Sequence, residues 1–492
     1  MRGRAPRWRV AAGGAGALLA LAALATALTW QTIFDAVLAS QLTMTPTSRS
    51  YHQWKQPPDS IPLYFEVYLF NWTNADKFPE EVPNMVQLGP YRFREVRQHV
   101  NVTWHNHNGS LAYRTLRRFF FDAATSNGTL KDNITTLNVI AASAVYRSRD
   151  WGFLRQKGLS MGLAMFGQGI SVSKLAGEIL FEGYEDPLLD LAKSLPPSAT
   201  GGAPPVDRFG WFYGRNNSLD TDGYVEISTG VDGALPGQIL RWNHEDHIPY
   251  YSGHCAQLAG SAGEFLPRNL TEDSQLMMFV PDLCRTVHMD YVHSGEIAGL
   301  EYHKYALSQR SFDNSTLSPS NTCFCNGQCA WSGVMNVSAC RFGSPAFISL
   351  PHFLHGDPVL LDMVTGLNPD PEKHEFYFAI EPKLGIPLEV AARFQVNVLI
   401  EPSPNIALFE NVPRMLFPVF WVQEKVLIDE QISAELRIVR ATLDWGATVC
   451  ACAALAFAVL VAMATWCMRK HVQHDLKFEK PKDEAELKLN PK

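Results

Sequence analysis

Apolar and polar positions fall into three regimes along this chain. Val10–Trp30 and Trp445–Met468 are uncharged and almost wholly apolar. At about 1.5 Å of rise per residue, each is long enough as a helix to cross the roughly 30 Å hydrocarbon core of a bilayer. Between them the pattern turns to short β-type runs. Leu63–Phe70 (LYFEVYLF) predicts a strand, and Phe394, Val396 and Val398 alternate with Arg393, Gln395 and Asn397, the period of a half-buried strand. Phe376, Phe378 and Ile380 repeat that alternation before Pro382. Turn clusters at Pro57-Pro58-Asp59 and Leu88-Gly89-Pro90 separate such runs. No repeat with a period of roughly 20–50 residues is visible, which argues against a solenoid or propeller.

Asn133–Leu191 departs from the β pattern. Leu137–Tyr146 is Ala-rich with apolar residues at helical spacing, and Val172–Leu180 also predicts a helix. A mainly β domain carrying a helical insertion is expected. The insertion's first half sets Arg147, Arg149, Arg155 and Lys157 against one acid, Asp150. Such a cluster is either a solvated face or a docking surface for anions. Thr200–Pro205 (TGGAPP) reads as a short flexible loop, and the mixed-charge tail after Met468 as disordered.

Charge and sequons orient the chain. Arg2, Arg4, Arg7 and Arg9 precede the first span, and Arg469, Lys470 and His471 follow the second, so both termini are expected in the cytosol. Arg437 and Arg440, outside the second span, count against that orientation. The alternative is a signal peptide cleaved near Ala25-Thr26-Ala27, but the apolar stretch exceeds the usual core of about 7–15 residues. Gly13, Gly16 and Ala17 offer a small-residue seam toward Ala454 and Ala458. Nine Asn-X-Ser/Thr sequons, at Asn71, Asn101, Asn108, Asn127, Asn133, Asn216, Asn269, Asn314 and Asn336, all lie between the spans. The expected organisation is a cytosolic segment 1–9, a span 10–30, a glycosylated ectodomain 31–444 with its insertion at 133–191, a span 445–468 and a cytosolic tail 469–492.

A formal charge of −7 argues against a nucleic-acid partner. Cys255, Cys284, Cys323, Cys325, Cys329 and Cys340 lie in the ectodomain, where three disulfides are expected, with fifteen pairings open. A zinc knot of Cys323, Cys325, Cys329 and Cys340 is the alternative. Cys467, beside Arg469 at the cytosolic membrane edge, is a palmitoylation candidate, whereas Cys450 and Cys452 read as apolar filler.

Enzyme signatures are weak. Gly158-Leu159-Ser160-Met161-Gly162 matches a hydrolase nucleophile elbow, but no buried-strand pattern precedes Ser160. His244-Glu245-Asp246-His247 and His352-Phe353-Leu354-His355 lack the helical context and third ligand of a zinc protease site. No phosphate-binding glycine loop is present, and no catalysis, metal or cofactor is expected.

Cys284-Arg285, Cys323-Phe324-Cys325 and Ile348-Ser349-Leu350-Pro351-His352-Phe353-Leu354 closely resemble the class B scavenger receptor family, that of the fatty-acid translocase, croquemort and the lysosomal integral membrane protein. Gly89-Pro90-Tyr91, Gly183-Tyr184 with Asp186-Pro187, Gly366-Leu367-Asn368-Pro369 and Phe394-Gln395-Val396-Asn397 extend the likeness over nearly the whole chain. The resemblance implies an α+β fold: an antiparallel β-barrel-like ectodomain with an apical helical bundle and an internal hydrophobic tunnel, anchored by two transmembrane helices. It implies the pairings Cys255–Cys323, Cys284–Cys340 and Cys325–Cys329. It also implies capture of lipids, fatty acids or lipoprotein-like particles at the apex and movement of lipid through the tunnel. A homo-oligomer is a candidate assembly. Arg341 is a further candidate for holding a lipid carboxylate, or else makes a structural ion pair.

Two departures qualify the resemblance. Ser160–Phe166 lacks the lysine-rich apical stretch of some members, and Asp483–Leu489 lacks a clear acidic dileucine signal. The second points to the plasma membrane rather than lysosomes or endosomes. The alternatives are a two-span ligand-gated channel and a lysosomal trafficking receptor of the same family.

Overall fold

The computed structural model describes residues 7–57, 63–194, 206–231, 233–325, 327 and 329–478. It divides into two units: the terminal segments 1–41 and 434–492, and the region 42–433.

In the first unit, α1 (Arg7–Leu42) and the carboxy-terminal helix Glu430–Phe478 are both long and apolar enough to cross a membrane. Both outrun the predicted spans. Ile33, Phe34, Val37 and Leu38 continue α1 at helical spacing, and the last helix continues through the start of the expected disordered tail to Phe478. The two helices meet at glycines. A Cβ on Gly16 would collide with Val461, and one on Gly446 would collide with the Trp30 ring. Trp30 Nε1 donates to the Thr442 carbonyl at 3.2 Å. The expected seam is therefore displaced: Ala454 is buried, but Ala17 and Ala458 face outward.

The second unit opens with a short helix, α2 (Arg49–Lys55), and is otherwise built on strands. In chain order they begin with β1 (Leu63–Trp72), β2 (Met85–His105), β3 (Ser110–Phe121), β4 (Asn133–Leu137) and β5 (Ser171–Leu175). Then come β6 (Tyr224–Ser228), β7 (Ile239–Trp242), β8 (Leu276–Val280), β9 (Arg285–Ile297) and β10 (Leu300–Leu307). The last are β11 (Val334–Asn336), β12 (Ala346–Ser349), β13 (Tyr377–Glu381), β14 (Ile386–Ile400) and β15 (Met415–Leu427). Thirteen form one antiparallel sheet in the order β7-β6-β3-β2-β1-β15-β14-β13-β10-β9-β8, with β12 on β14 and β11 on β12.

The sheet nearly closes into a barrel. Its two end strands, β7 and β8, are joined through Gly260–Ala262. Ile239 N–H donates to the Gly260 carbonyl at 2.9 Å and Ala262 N–H to that of Gly237 at 3.0 Å. On the other side, Ser261 N–H donates to Met277 O at 3.0 Å and Phe279 N–H to Ser261 O at 2.9 Å. Only glycine fits position 260, where φ is +83° and a Cβ would strike the Met277 carbonyl.

The insertion starts with a separate ribbon, β4 on β5. Val172–Leu180, expected as a helix, is strand as far as Leu175: Val172 and Lys174 alternate with Ser171 and Ser173 opposite β4, and a π-helical turn (Glu178–Glu182) follows. Next to the ribbon stand α3 (Val139–Arg147), α4 (Phe153–Met165) and α5 (Pro187–Lys193). Asn138 caps α3 by accepting from Ala141 N–H, and Asp186 caps α5 by accepting from Leu188 N–H. Thr200–Pro205 lies outside the described residues.

His352 and His374 lock a loop against β15. Their rings stack at 4.2 Å. His352 Nε2–H donates to Gln87 Oε1 at 2.7 Å, an oxygen that also accepts from Trp421 Nε1 at 2.7 Å. His352 Nδ1 accepts from Asn368 N–H and His374 Nδ1 from Asp370 N–H, each at 2.9 Å. Both ring nitrogens of His352 are thus committed to the fold. His355 is exposed. Burial, reinforced by His374, pulls the His352 pKa down to about 3, and burial pulls that of His374 down to about 4.

Between these values and the unfolded pKa near 6.5, the native chain binds fewer protons than the unfolded one, so stability rises with pH. The contribution is complete above pH 6.5 and is lost as pH falls toward 4. Denaturant unfolding of the full chain in detergent, followed by tryptophan fluorescence, is expected to lose about 2 kcal/mol per imidazole between pH 7 and 5. His374→Gln should flatten that slope; an unchanged slope would contradict the assignment.

Candidate functional site

Strand register places a graded set of side chains on one face of the sheet. Phe65 lies opposite Phe93 on β2 and Glu424 on β15. Phe93 lies opposite Phe121, Glu95 opposite Phe119, Arg97 opposite Arg117, and His99 opposite Thr115. Since side chains alternate faces, these positions share one side. The end bearing Phe65, Phe93, Phe119 and Phe121 is aromatic, and Phe181 and Phe212 pack there at ring distances of 4.8 to 5.2 Å.

An ionic belt follows. Arg97 and Arg117 face each other directly, an arrangement that like charges oppose. Glu424 resolves it by bridging them: Arg97 Nη2 donates to Oε2 at 3.0 Å and Arg117 Nη1 to Oε1 at 3.2 Å. Arg97 Nε also reaches Glu95 at 2.8 Å, and Arg117 Nε reaches Asp222 at 3.0 Å. Burial pushes the Glu95 carboxyl up, while Arg97 and Arg117 outweigh burial at Glu424 and hold it down. Asp282 extends the network, taking Arg215 Nη1 at 3.0 Å with Arg341 Nη2 at 3.5 Å. Burial alone would raise Asp282, but Arg215, Arg341 and Arg117 keep it well below the usual carboxylate range. Arg341 therefore sits in a structural ion pair and also donates to the Asp282 carbonyl.

Beyond the belt lies a cavity of about 60 Å³, lined among others by Arg97, His99, Tyr113, Thr115, Asp222 and Glu264. The belt interrupts the apolar lining that a hydrophobic tunnel would carry on this face.

The helical insertion supplies the second surface. Of its basic cluster, Arg149, Arg155 and Lys157 are exposed. Arg147 is half-buried, with Nη2 on Ser344 Oγ at 3.0 Å, and Arg149 lies over the Tyr146 ring at 4.1 Å and beside Asp150. Sequence reasoning missed their neighbours. Helix α4 buries only Gln156 and Leu163, yet Phe153, Leu154, Met161 and Met165 are 60, 81, 72 and 73% exposed. The signal was available in that apolar residues run all round α4. A pocket of about 270 Å³ lies between this helix, α3 and the segment 399–405.

The remaining candidates have plain positions. Ser160 is mid-helix, its hydroxyl accepting from Ala407 N–H at 3.0 Å, not at a strand-to-helix elbow. His244 stacks on Tyr224 and His247 is exposed beside Asp246. The six cysteines between the terminal helices join as Cys255–Cys323, Cys284–Cys340 and Cys325–Cys329. His254 lies near two of them, but disulfide sulfurs offer no thiolate to a metal. Asn101, Asn108, Asn127, Asn133, Asn216 and Asn269 are exposed, whereas Asn71, Asn314 and Asn336 are half-buried. Cys467 is exposed on the carboxy-terminal helix.

Known proteins share this chain's sequence over most of its length. It is 40% identical over 416 residues to protein peste of Drosophila melanogaster, covering 83% of this chain and 74% of that one. It is 31% identical to scavenger receptor class B member 1 of Cricetulus griseus, covering 85 and 81% of the two chains. Lysosome membrane protein 2 of Rattus norvegicus is 29% identical, with 85% of each chain covered. The profile of the CD36 family matches residues 14–469, and with the barrel-like sheet and two apolar terminal helices in place, the chain belongs to that family.

Proposed function

We propose that this chain is a scavenger receptor that captures lipids or lipid-bearing particles through its helical insertion and passes lipid along the barrel interior toward the membrane. The observation that carries the reading is α4, which turns Phe153, Leu154, Met161 and Met165 to solvent beside Arg155 and Lys157. Water penalises such a face, and a lipid surface rewards it by about 0.8 kcal/mol per methylene buried. The cations would add attraction to anionic particles, screened beyond about 10 Å at 0.1 M salt. In this reading the insertion is the apex and the aromatic end of the interior takes acyl chains. No bond is broken, so no catalytic residue, metal or cofactor is required. Both termini lie in the cytosol and the receptor works at the plasma membrane, with exposed sequons glycosylated and Cys467 acylated.

Capture of anionic vesicles by cells displaying the protein is the test. Reversing Arg149, Arg155 and Lys157 to Glu should slow capture several-fold and weaken its salt dependence. Leu154→Asp with Met161→Asp should instead speed release of captured vesicles. Unchanged capture and release in both variants would reduce α4 to a bystander.

Topology has its own test. Tags at both termini should resist external protease in intact cells, and glycosidase should cause a large drop in mass. An N-terminal tag missing from the mature protein would show that the first segment is cleaved.

A further inference from the structure

The cavity beyond the ionic belt carries a chemical preference. Asp222 is 6% exposed and lines the cavity. Its Oδ2 takes Arg117, but its Oδ1 is buried with no hydrogen-bond partner among the described residues. Glu95, on the other side of the same guanidinium at 3.7 Å, likewise has a buried Oε2 without a partner among them. Glu264 also lines the cavity and stands 3.4 Å from His99 Nε2. By contrast, no nitrogen of Arg97 or Arg117 is both buried and unbonded among the described residues.

The site is thus rich in unused acceptors, and its charges agree. Of the lining residues, Arg97 and Arg117 are already engaged by Glu95, Glu424 and Asp222, and Glu264 adds a further carboxylate beside His99. A buried acceptor without a donor costs about 1–3 kcal/mol, which an incoming donor can recover. A carboxylate brings only more acceptors and a further negative charge. The volume, about 60 Å³, admits a small head and not a ring system.

We infer that this cavity is a binding site for the hydrogen-bond-donating head, hydroxyl or ammonium, of a single-chain lipid, and that it discriminates against free carboxylates. The inference rests on the lipid-binding reading above and names the substrate class for it. The alkyl chain lies toward the aromatic end, where the partly buried Phe119, Phe121 and Phe212 supply apolar surface. Asp222 Oδ1 accepts the head's hydrogen bond, and Glu264 and Thr115 stand beside it.

Three ligands with one chain isolate the head: oleate, oleyl alcohol and oleylamine. Their retention by the full-length protein in detergent at pH 8 is measured with radiolabel. The alcohol and the amine should bind about tenfold more tightly than oleate, the equivalent of about 1.4 kcal/mol. The amine exceeding the alcohol identifies a cation site; the two being equal identifies a hydroxyl site. Asp222→Asn puts an amide where a bare oxygen was and should erase most of the advantage over oleate. Glu264→Gln, which leaves the Arg117 pair intact, should erase part of it and serves if Asp222→Asn fails to fold. Equal retention of all three ligands, or tighter oleate, overturns the head site and leaves lipid binding standing. Retention of none overturns the lipid-binding reading and the head site together.

Discussion

The shared carboxylate of Glu424 holds Arg97 and Arg117 face to face across β2 and β3, and the barrel interior is organised around it. Two guanidiniums directly opposite each other on adjacent strands would repel, and neither strand carries the remedy for both. It comes from β15, more than 300 residues along the chain, which reaches this face because β15 pairs with β1. The bridge therefore requires the sheet to be wound as it is. Buried ion pairs are a weak source of stability, since desolvation consumes much of the Coulomb gain. An apolar filling would have served stability as well. A belt in this position divides the face instead, aromatic at one end and charged beyond.

The sheet's own ends impose a second constraint. Strands β7 and β8 do not pair with each other; a short segment, Gly260–Ala262, bonds to both. The closure covers edges that would otherwise expose unpaired backbone groups. It also walls one side of the cavity, where Ala262 joins Ile239 and Phe279 in lining it.

Much of the architecture was legible along the sequence. The alternation in Phe394–Val398 marked β14, the LYFEVYLF run marked β1, and uncharged runs at both ends marked the apolar helices. Val172–Leu180 misleads because its serines and lone lysine suit a short ribbon, and only the pairing with β4 decides between periods. The belt could not be read locally. Arg97 and Glu424 are 327 positions apart, and nothing in either neighbourhood names the other. Arg341 stood out as a lone cation beside a cysteine, but Asp282, its partner, did not. The His352 motif was recognisable by resemblance, yet its role depends on Gln87 and Trp421 from distant strands. On α4 the cations drew attention, although exposed Leu154 and Met165 are the less ordinary feature.

If the barrel interior holds lipid, the protein should carry lipid away from the membrane. Mass spectrometry of lipids co-purifying with the full-length protein, after extensive detergent exchange, tests this most directly. The account predicts near-stoichiometric single-chain lipids with hydroxyl or amine heads, above the level on an unrelated two-span protein prepared in the same way. Lipid no higher than on that control would contradict it.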